Sequence, residues 1–435
     1  MGGQAFASGP DPLLTPRMSP STYRAVRQHC EERLRQHFVI VAVPIEGPGK
    51  ESYGDIDIFV AWDRRHVFPH STVTTTTNTN TNTSTTETET ETETGTQIVR
   101  RALGAIRYIQ QQEDSVIMAI PWWDTPKYIQ VDVSIYSSLG QLQWMLFTHG
   151  HGDLVNVLGP VIRPFGLTAD GTGLHIRIPE IETQNKKEAR VLLTDDPVHY
   201  LRFLGLRLDQ THWEQPFDSQ DDLLECAATC RLFVIESGGE EDEDKKNLKS
   251  NDRSRMRNRA LSQRWFEEFI PACRAAGRFI GTPPTRDHIR QQAFEYFPSV
   301  QPIYTFRLKQ WRIKRQRETL WKEVIKTTIP TELENSRRSC CASALKKIIM
   351  ADDPSFDGIE APASLRDDDG LFDEEAVRIW VTENWQMVLT VAWRIQTERL
   401  VAKAKTKHES ERTASGEEKG APPESVAQIG EAANT

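Results

Sequence analysis

The sequence predicts an α+β fold, a mixed-sheet domain over residues 1–182 followed by a helical part. Short β-branched apolar runs recur in the first part, separated by loops rich in Gly and Pro. From Asp196 onward the apolar residues recur mostly at the three- and four-residue spacing of a helix packed on one face. Stretches 71–97 and 237–259 and the tail 403–435 have no apolar period, so they lack the buried surface needed to offset their ordering entropy.

The elements follow in order. Ser19-Pro20-Ser21 is a helix start, and residues 21–36 turn Tyr23, Val26 and Leu34 inward. Residues 38–43 form a buried strand, 44–54 a loop, and 56–61 a second strand. Ile98, Ala102, Ala105, Ile106 and Ile109 predict a helix over 98–111. Residues 116–120 and 128–135 are strands, 139–147 a helix, and 166–178 a hairpin turning at Ala169-Asp170-Gly171-Thr172-Gly173. A helical domain is expected over 183–330, then over 331–402 a linker and a docked C-terminal helix marked by Trp380, Trp385, Val388, Leu389 and Trp393.

Composition bounds the function. The 435 residues carry 53 Lys+Arg against 62 Asp+Glu, a net charge of -9, which is not the basic footprint of a dedicated nucleic-acid binder but leaves room for a local basic surface. No apolar run approaches the roughly 18 residues of a membrane span. The N-terminus has neither the basic-then-apolar pattern of a secretory signal nor a Ser or Thr at position 6 for myristoylation. Six cysteines are too sparse for a disulfide scaffold and fit a reducing compartment, so the expected location is intracellular, cytoplasmic or nuclear.

The chemistry is concentrated in Gly54-Asp55-Ile56-Asp57-Ile58-Phe59-Val60. Alternate strand residues share a face, so Asp55 and Asp57 point the same way from an otherwise apolar strand. Two adjacent carboxylates repel, and burying them unpaired is costly, so a cation is expected between them. Oxygen-only donors suit Mg²⁺ or Mn²⁺ and not zinc. Asp132 sits in a matching strand, and if the two strands are neighbours it joins the pair in a clamp for phosphoryl or nucleotidyl transfer. In the loop before Asp55, Gly47, Gly49 and Gly54 allow backbone N–H groups close to phosphate, while Lys50 and Ser52 add a charge and a hydroxyl. The plainer alternative is an ordinary turn with an acid pair at a strand start.

This order of helix, strand, glycine loop, Asp-x-Asp strand, helix and strand with a third Asp resembles the polymerase-beta-type nucleotidyltransferase superfamily over residues 20–180. The resemblance implies that Asp55, Asp57 and Asp132 bind two Mg²⁺ (or Mn²⁺). It also implies a nucleoside triphosphate substrate whose nucleoside monophosphate passes to an acceptor hydroxyl, on RNA, protein or a small molecule. Where the family has Gly-Gly or Gly-Ser before the acid pair, this chain has Gly47-Pro48-Gly49; its Gly2-Gly3 pair lies far away in sequence. A non-catalytic nucleotide- or RNA-binding module on the same fold is the alternative that the altered loop permits.

Rival constellations are fewer. His149-Gly150-His151-Gly152-Asp153 is similar to the metal-binding run of metallo-β-lactamase-type hydrolases, although Leu154 stands where the last His would be. Its simpler reading is a turn between helices with Asp153 as a cap. Cys226 and Cys230 read as small core residues. Aromatic and basic residues interleave from Tyr304 to Lys322, which reads either as a phosphate-backbone contact or as an amphipathic helix with a solvated basic side.

Overall fold

The computed structural model describes residues 3–68, 93–207, 213–236, 250, 253–254, 257 and 259–415. They fall into two compact units, Met1–Ile303 and Tyr304–Thr435. The first is α+β. Helix α1 (Pro20–Arg35) is capped by Ser19, whose hydroxyl accepts from the Thr22 amide, and it buries Tyr23, Val26, Cys30 and Leu34. Strands β1 (Phe38–Ala42) and β2 (Asp55–Asp63) follow, then the short α2 (Arg64–Val67) and α3 (Gly95–Leu103). Next come β3 (Arg107–Gln112), β4 (Ser115–Pro121), β5 (Tyr128–Tyr136) and α4 (Leu139–His149). The sheet has the order β1-β2-β5-β4-β3 and is mixed: β2 and β5 run parallel, and the other neighbours are antiparallel.

Beyond it, α5 (Leu154–Ile162) leads to β6 (Leu167–Asp170) and β7 (Gly173–Arg177), then α6 (Pro179–Glu182) and β8 (Arg190–Thr194). The three strands make a small antiparallel sheet. Helix α7 (Pro197–Leu204) packs on α4, where Tyr200 meets Trp144, and α8 (Gln220–Ala228) packs on α5. The expected hairpin is present, and β8 extends it where only helices were expected.

Two further expectations change. The helix expected over 98–111 is instead α3 followed by β3. Gly104, at φ 65°, closes the helix in the left-handed conformation, and the chain then pairs with β4. Ala105, Ile106 and Ile109 imitate helical spacing by coincidence. The Thr/Glu tract expected unpacked over 71–97 lies outside the described residues up to 92. Its end, however, is structured: Thr94 and Gln97 form a capping box that starts α3.

In the second unit, helix Val300–Thr319 runs into a segment, Leu320–Ile325, that joins helices Asn335–Ala351 and Glu374–Ser415 in a core of Leu320, Val324, Leu345, Ile348, Val381 and Val388. The last helix runs on to Ser415, into the stretch expected to be tail; 416–435 lie outside the described residues. The cysteines are free, and Cys226 and Cys230 are buried. No helix among the described residues is long and apolar enough to cross a membrane.

Candidate active site

Strand alternation splits β2 between two environments. Ile56, Ile58 and Val60 enter the main core with α1 and α3. Asp55, Asp57, Phe59 and Ala61 take the opposite face. There α4 covers only the later part of the strand, where Leu142, Met145 and Leu146 pack with Phe59 and Ala61. The helix ends at His149, whose ring meets Phe59 edge-on at 5.3 Å between centroids. Asp55 and Asp57 precede the covered stretch and line a cleft of about 890 Å³.

The sheet register adds the third acid. Asp57 is the direct partner of Asp132 across the parallel β2–β5 pair, and Asp55 is the partner of Gln130. Parallel partners project to the same side, so all four side chains share one face. The Gln130 amide donates to Asp132 Oδ1 at 2.9 Å, and its carbonyl accepts from the Ala5 amide at 3.0 Å. Asp132 lies one strand behind Asp57 and is not on the cleft wall.

The electrostatics are those of acids with too few cations. Burial, then the charges of Asp55 and Glu46, push Asp57 up to about 6, against the pull of Lys50. Burial pushes Asp132 up to about 7; Gln130 opposes this, and Asp57 and Asp55 add to it. Solvent reaches the Asp57 carboxylate, since the residue is exposed along the strand, but protein surrounds the opening and raises the cost of its charge. The nearest positive groups are committed elsewhere. Lys50 Nζ donates to Glu46 Oε2 at 2.7 Å, and Glu46 Oε1 accepts from Tyr23 Oη at 2.5 Å.

Gly47, Gly49, Lys50 and Gly54 line the cleft as expected of a phosphate loop. Ser52 does not: Arg17 Nε donates to its hydroxyl at 2.8 Å and Arg17 Nη2 to its carbonyl at 2.6 Å, so Arg17 itself lines the cleft. Gly3 does fold back beside Gly54. At φ 86° it approaches so closely that a Cβ there would sit 2.2 Å from the Gly54 carbonyl oxygen. Thr15 Oγ1 holds it by donating to the Gly3 carbonyl at 2.7 Å. Gly2 lies outside the described residues.

The histidine run faces the same cleft but does not gather as ligands. His151, at φ 57°, is buried and its Nε2–H donates to the Trp213 carbonyl at 2.9 Å. His149 Nδ1–H donates to the Met145 carbonyl at 3.1 Å. Asp153 stands at the start of α5 without capping it; its Oδ1 accepts from Asn156 at 3.0 Å and pairs with Arg259. Among the described residues no three His, Cys, Asp or Glu side chains are already drawn into a metal-binding group. The three aspartates share one face and offer only oxygen, and the raised proton affinity of Asp57 and Asp132 marks a place that favours added positive charge. A hard divalent cation fits that donor set.

Sequence reasoning missed Arg17, Gln130 and Arg259. Gln130 was within reach, since it precedes Asp132 by one strand period. Arg17 and Arg259 carry no local signal, because only the fold brings residues so distant in sequence to Asp55.

No family model matches the chain, and no curated protein matches it. Among solved structures it is similar to Leishmania infantum polymerase beta in a ternary P/T complex, with 12% identity, a TM-score of 0.31, and coverage of 45% of this chain and 76% of that one. The likeness is loose.

Proposed function

We propose that the chain is a metal-dependent nucleotidyltransferase that moves a nucleoside monophosphate from a nucleoside triphosphate to a hydroxyl acceptor. The observation that carries this reading is the pairing of Asp57 with Asp132, with Asp55 on the same face and with Asp55 and Asp57 lining an open cleft. Mg²⁺ or Mn²⁺ held by Asp55, Asp57 and Asp132 would neutralise the triphosphate and make the acceptor hydroxyl easier to deprotonate.

The chain's own residues supply the rest. Gly47, Gly49 and Gly54 leave the backbone of the loop open to phosphate oxygens, and Lys50 and Arg17 bring positive charge to the same wall. Asp132, one strand behind Asp57, adds a third carboxylate whose charge is disfavoured by burial and by Asp57 and Asp55 until a cation joins the set. Gln130 orients that carboxyl, and the Ala5 amide holds Gln130 in turn. The products are pyrophosphate and the nucleotidylated acceptor.

The test is pyrophosphate release with each nucleoside triphosphate and Mg²⁺ or Mn²⁺, with total RNA as a mixed acceptor. Release by the wild type that vanishes in Asp55→Ala/Asp57→Ala supports the reading. Release unchanged in that variant ends it. Nucleotide binding with no release under any condition would leave the binding-module alternative in its place.

A further inference from the structure

We propose a second binding site, in the unit Tyr304–Thr435, that takes a single strand of nucleic acid by its phosphates and stacks one base on Trp321. It does not depend on the nucleotidyltransferase reading. The site is a groove of about 730 Å³ between two helical walls. One wall is Gln310, Lys314, Arg317 and Trp321, which fall at successive turns of one helix face. The other is the Ser343, Lys346, Lys347 and Met350 face of helix Asn335–Ala351.

The charge of this groove runs against that of the chain. The protein carries -9 overall. The groove is lined by Lys314, Arg317, Lys322, Lys346 and Lys347, with Glu318 as its single acid. Glu318 is engaged by Arg315 at 3.8 Å. Among the described residues, none of the five cations has a carboxylate within ion-pair distance, although Arg394, Arg366 and Lys309 of the same unit are all paired. Five that converge on one groove, with only Glu318 on its wall and the charge of Asp353 felt at Lys347, outnumber the acids beside them and make a place for an added anion.

The aromatic sets the class of anion. Lys326 Nζ and Lys346 Nζ lie 4.8 Å and 5.0 Å from the centroid of the Trp321 ring. The indole thus steadies two ammonium groups that would otherwise repel. Trp321 is half-buried and sits in a π-helical segment, Leu320–Ile325. That widened turn sends Leu320, Val324 and Ile325 into the core and leaves Trp321 and Lys322 on the groove. Such segments recur at functional sites because regular winding would be more stable. A phosphate chain with a neighbouring base meets both features: ammonium groups move from the indole to the phosphates, and the base takes their place on the ring. A paired base in a duplex cannot reach a half-buried ring between two helices, so the strand must be single.

The experiment is fluorescence anisotropy with the full chain and a fluorescein-labelled uridine oligonucleotide of about 12 residues, at about 0.1 M salt. Wild type is compared with Lys346→Glu/Lys347→Glu, with Trp321→Leu, and with Lys186→Glu/Lys187→Glu as an exposed control outside the groove. The expected result is a Kd raised at least about 10-fold by the groove pair, unchanged by the control, and with a shallower salt dependence in the groove pair. Trp321→Leu should weaken the strand but leave any binding of inorganic triphosphate unchanged. Because Lys346 and Lys347 are exposed, their variants keep the fold and decide the matter even if Trp321→Leu does not. The proposal is overturned if the groove pair binds the strand as wild type does. It is equally overturned if a duplex of the same length binds as well, or if the groove variants lose binding to phosphatidylserine vesicles and none to the strand.

Discussion

The cleft at Asp55 and the groove at Trp321 are opposite solutions to placing charge on a protein. In the first, a sheet aligns acids on one face, and burial pushes two of them up to about 6 and about 7. In the second, two helices bring five cations to one groove, one of them, Lys346, over the Trp321 indole. Each is an arrangement that folding alone would avoid, since like charges crowded together destabilise the compact state. On the two readings proposed, the acids would take a metal ion and the bases phosphate. The difference also has a geometric lesson. Strand alternation fixes which acids share a face within a few residues, whereas a groove requires two helices to meet.

The largest effect that would sharpen this contrast is at the acids. Asp55→Ala/Asp57→Ala should cut pyrophosphate release by about 10³-fold, the equivalent of several kcal/mol of lost charge stabilisation. The same variant should bind the labelled oligonucleotide as wild type does if the two sites are chemically separate. Next is Gly3→Val. With no room for a Cβ beside Gly54, the N-terminal segment should leave its place, Gln130 should lose the Ala5 amide, and activity should fall by about 10-fold or more. Activity unchanged by Gly3→Val would break the link between that segment and Asp132.

A third prediction concerns stability and has the opposite sign. The pKa of Asp57 and of Asp132 is raised in the folded state above the ordinary carboxylate value of 3.8. The fold therefore binds these protons more tightly than the unfolded chain, and stability is lost as pH rises through about 6 and about 7. Asp132→Asn should raise the Tm of metal-free protein at pH about 8 by about 2–4 °C, after allowing for solvent screening in the cleft, and change little at pH about 4. Thermal unfolding across that range reads it. The smallest effect belongs to Lys50→Ala. Its pair with Glu46 is partly exposed, so stability should move by less than about 1 kcal/mol, while KM for the nucleotide rises. Unchanged KM would take Lys50 off the phosphate wall.

Much of this was legible in the sequence because it is local. The edges of α1, β1, β2, β4, β5 and α4 follow from caps and apolar runs. Asp55 and Asp57 follow from alternation, and their meeting with Asp132 needs only that β2 and β5 be neighbours. What was not legible depends on distant chain. The false helix at 105–111 arose because three apolar residues of β3 and its approach match two periods at once. Ser52 was assigned to phosphate, but Arg17, at the far side of α1, takes its hydroxyl. Gly3 reaches Gly54 only through the fold of residues 3–18, which carries no regular pattern. The basic run 304–322 read more simply as a solvated helix face, and only Lys346 and Lys347 opposite it turn that face into a groove.

The central claim is that the three aspartates hold a divalent cation. It is tested most directly by Mn²⁺ titration followed by electron paramagnetic resonance, on wild type and on Asp57→Asn at pH about 8 and about 5. The account predicts binding by wild type at the higher pH that weakens by about 10-fold or more when Asp57 and Asp132 take up protons, and that is lost in Asp57→Asn at both. Equal Mn²⁺ binding by the two proteins, independent of pH, would contradict it.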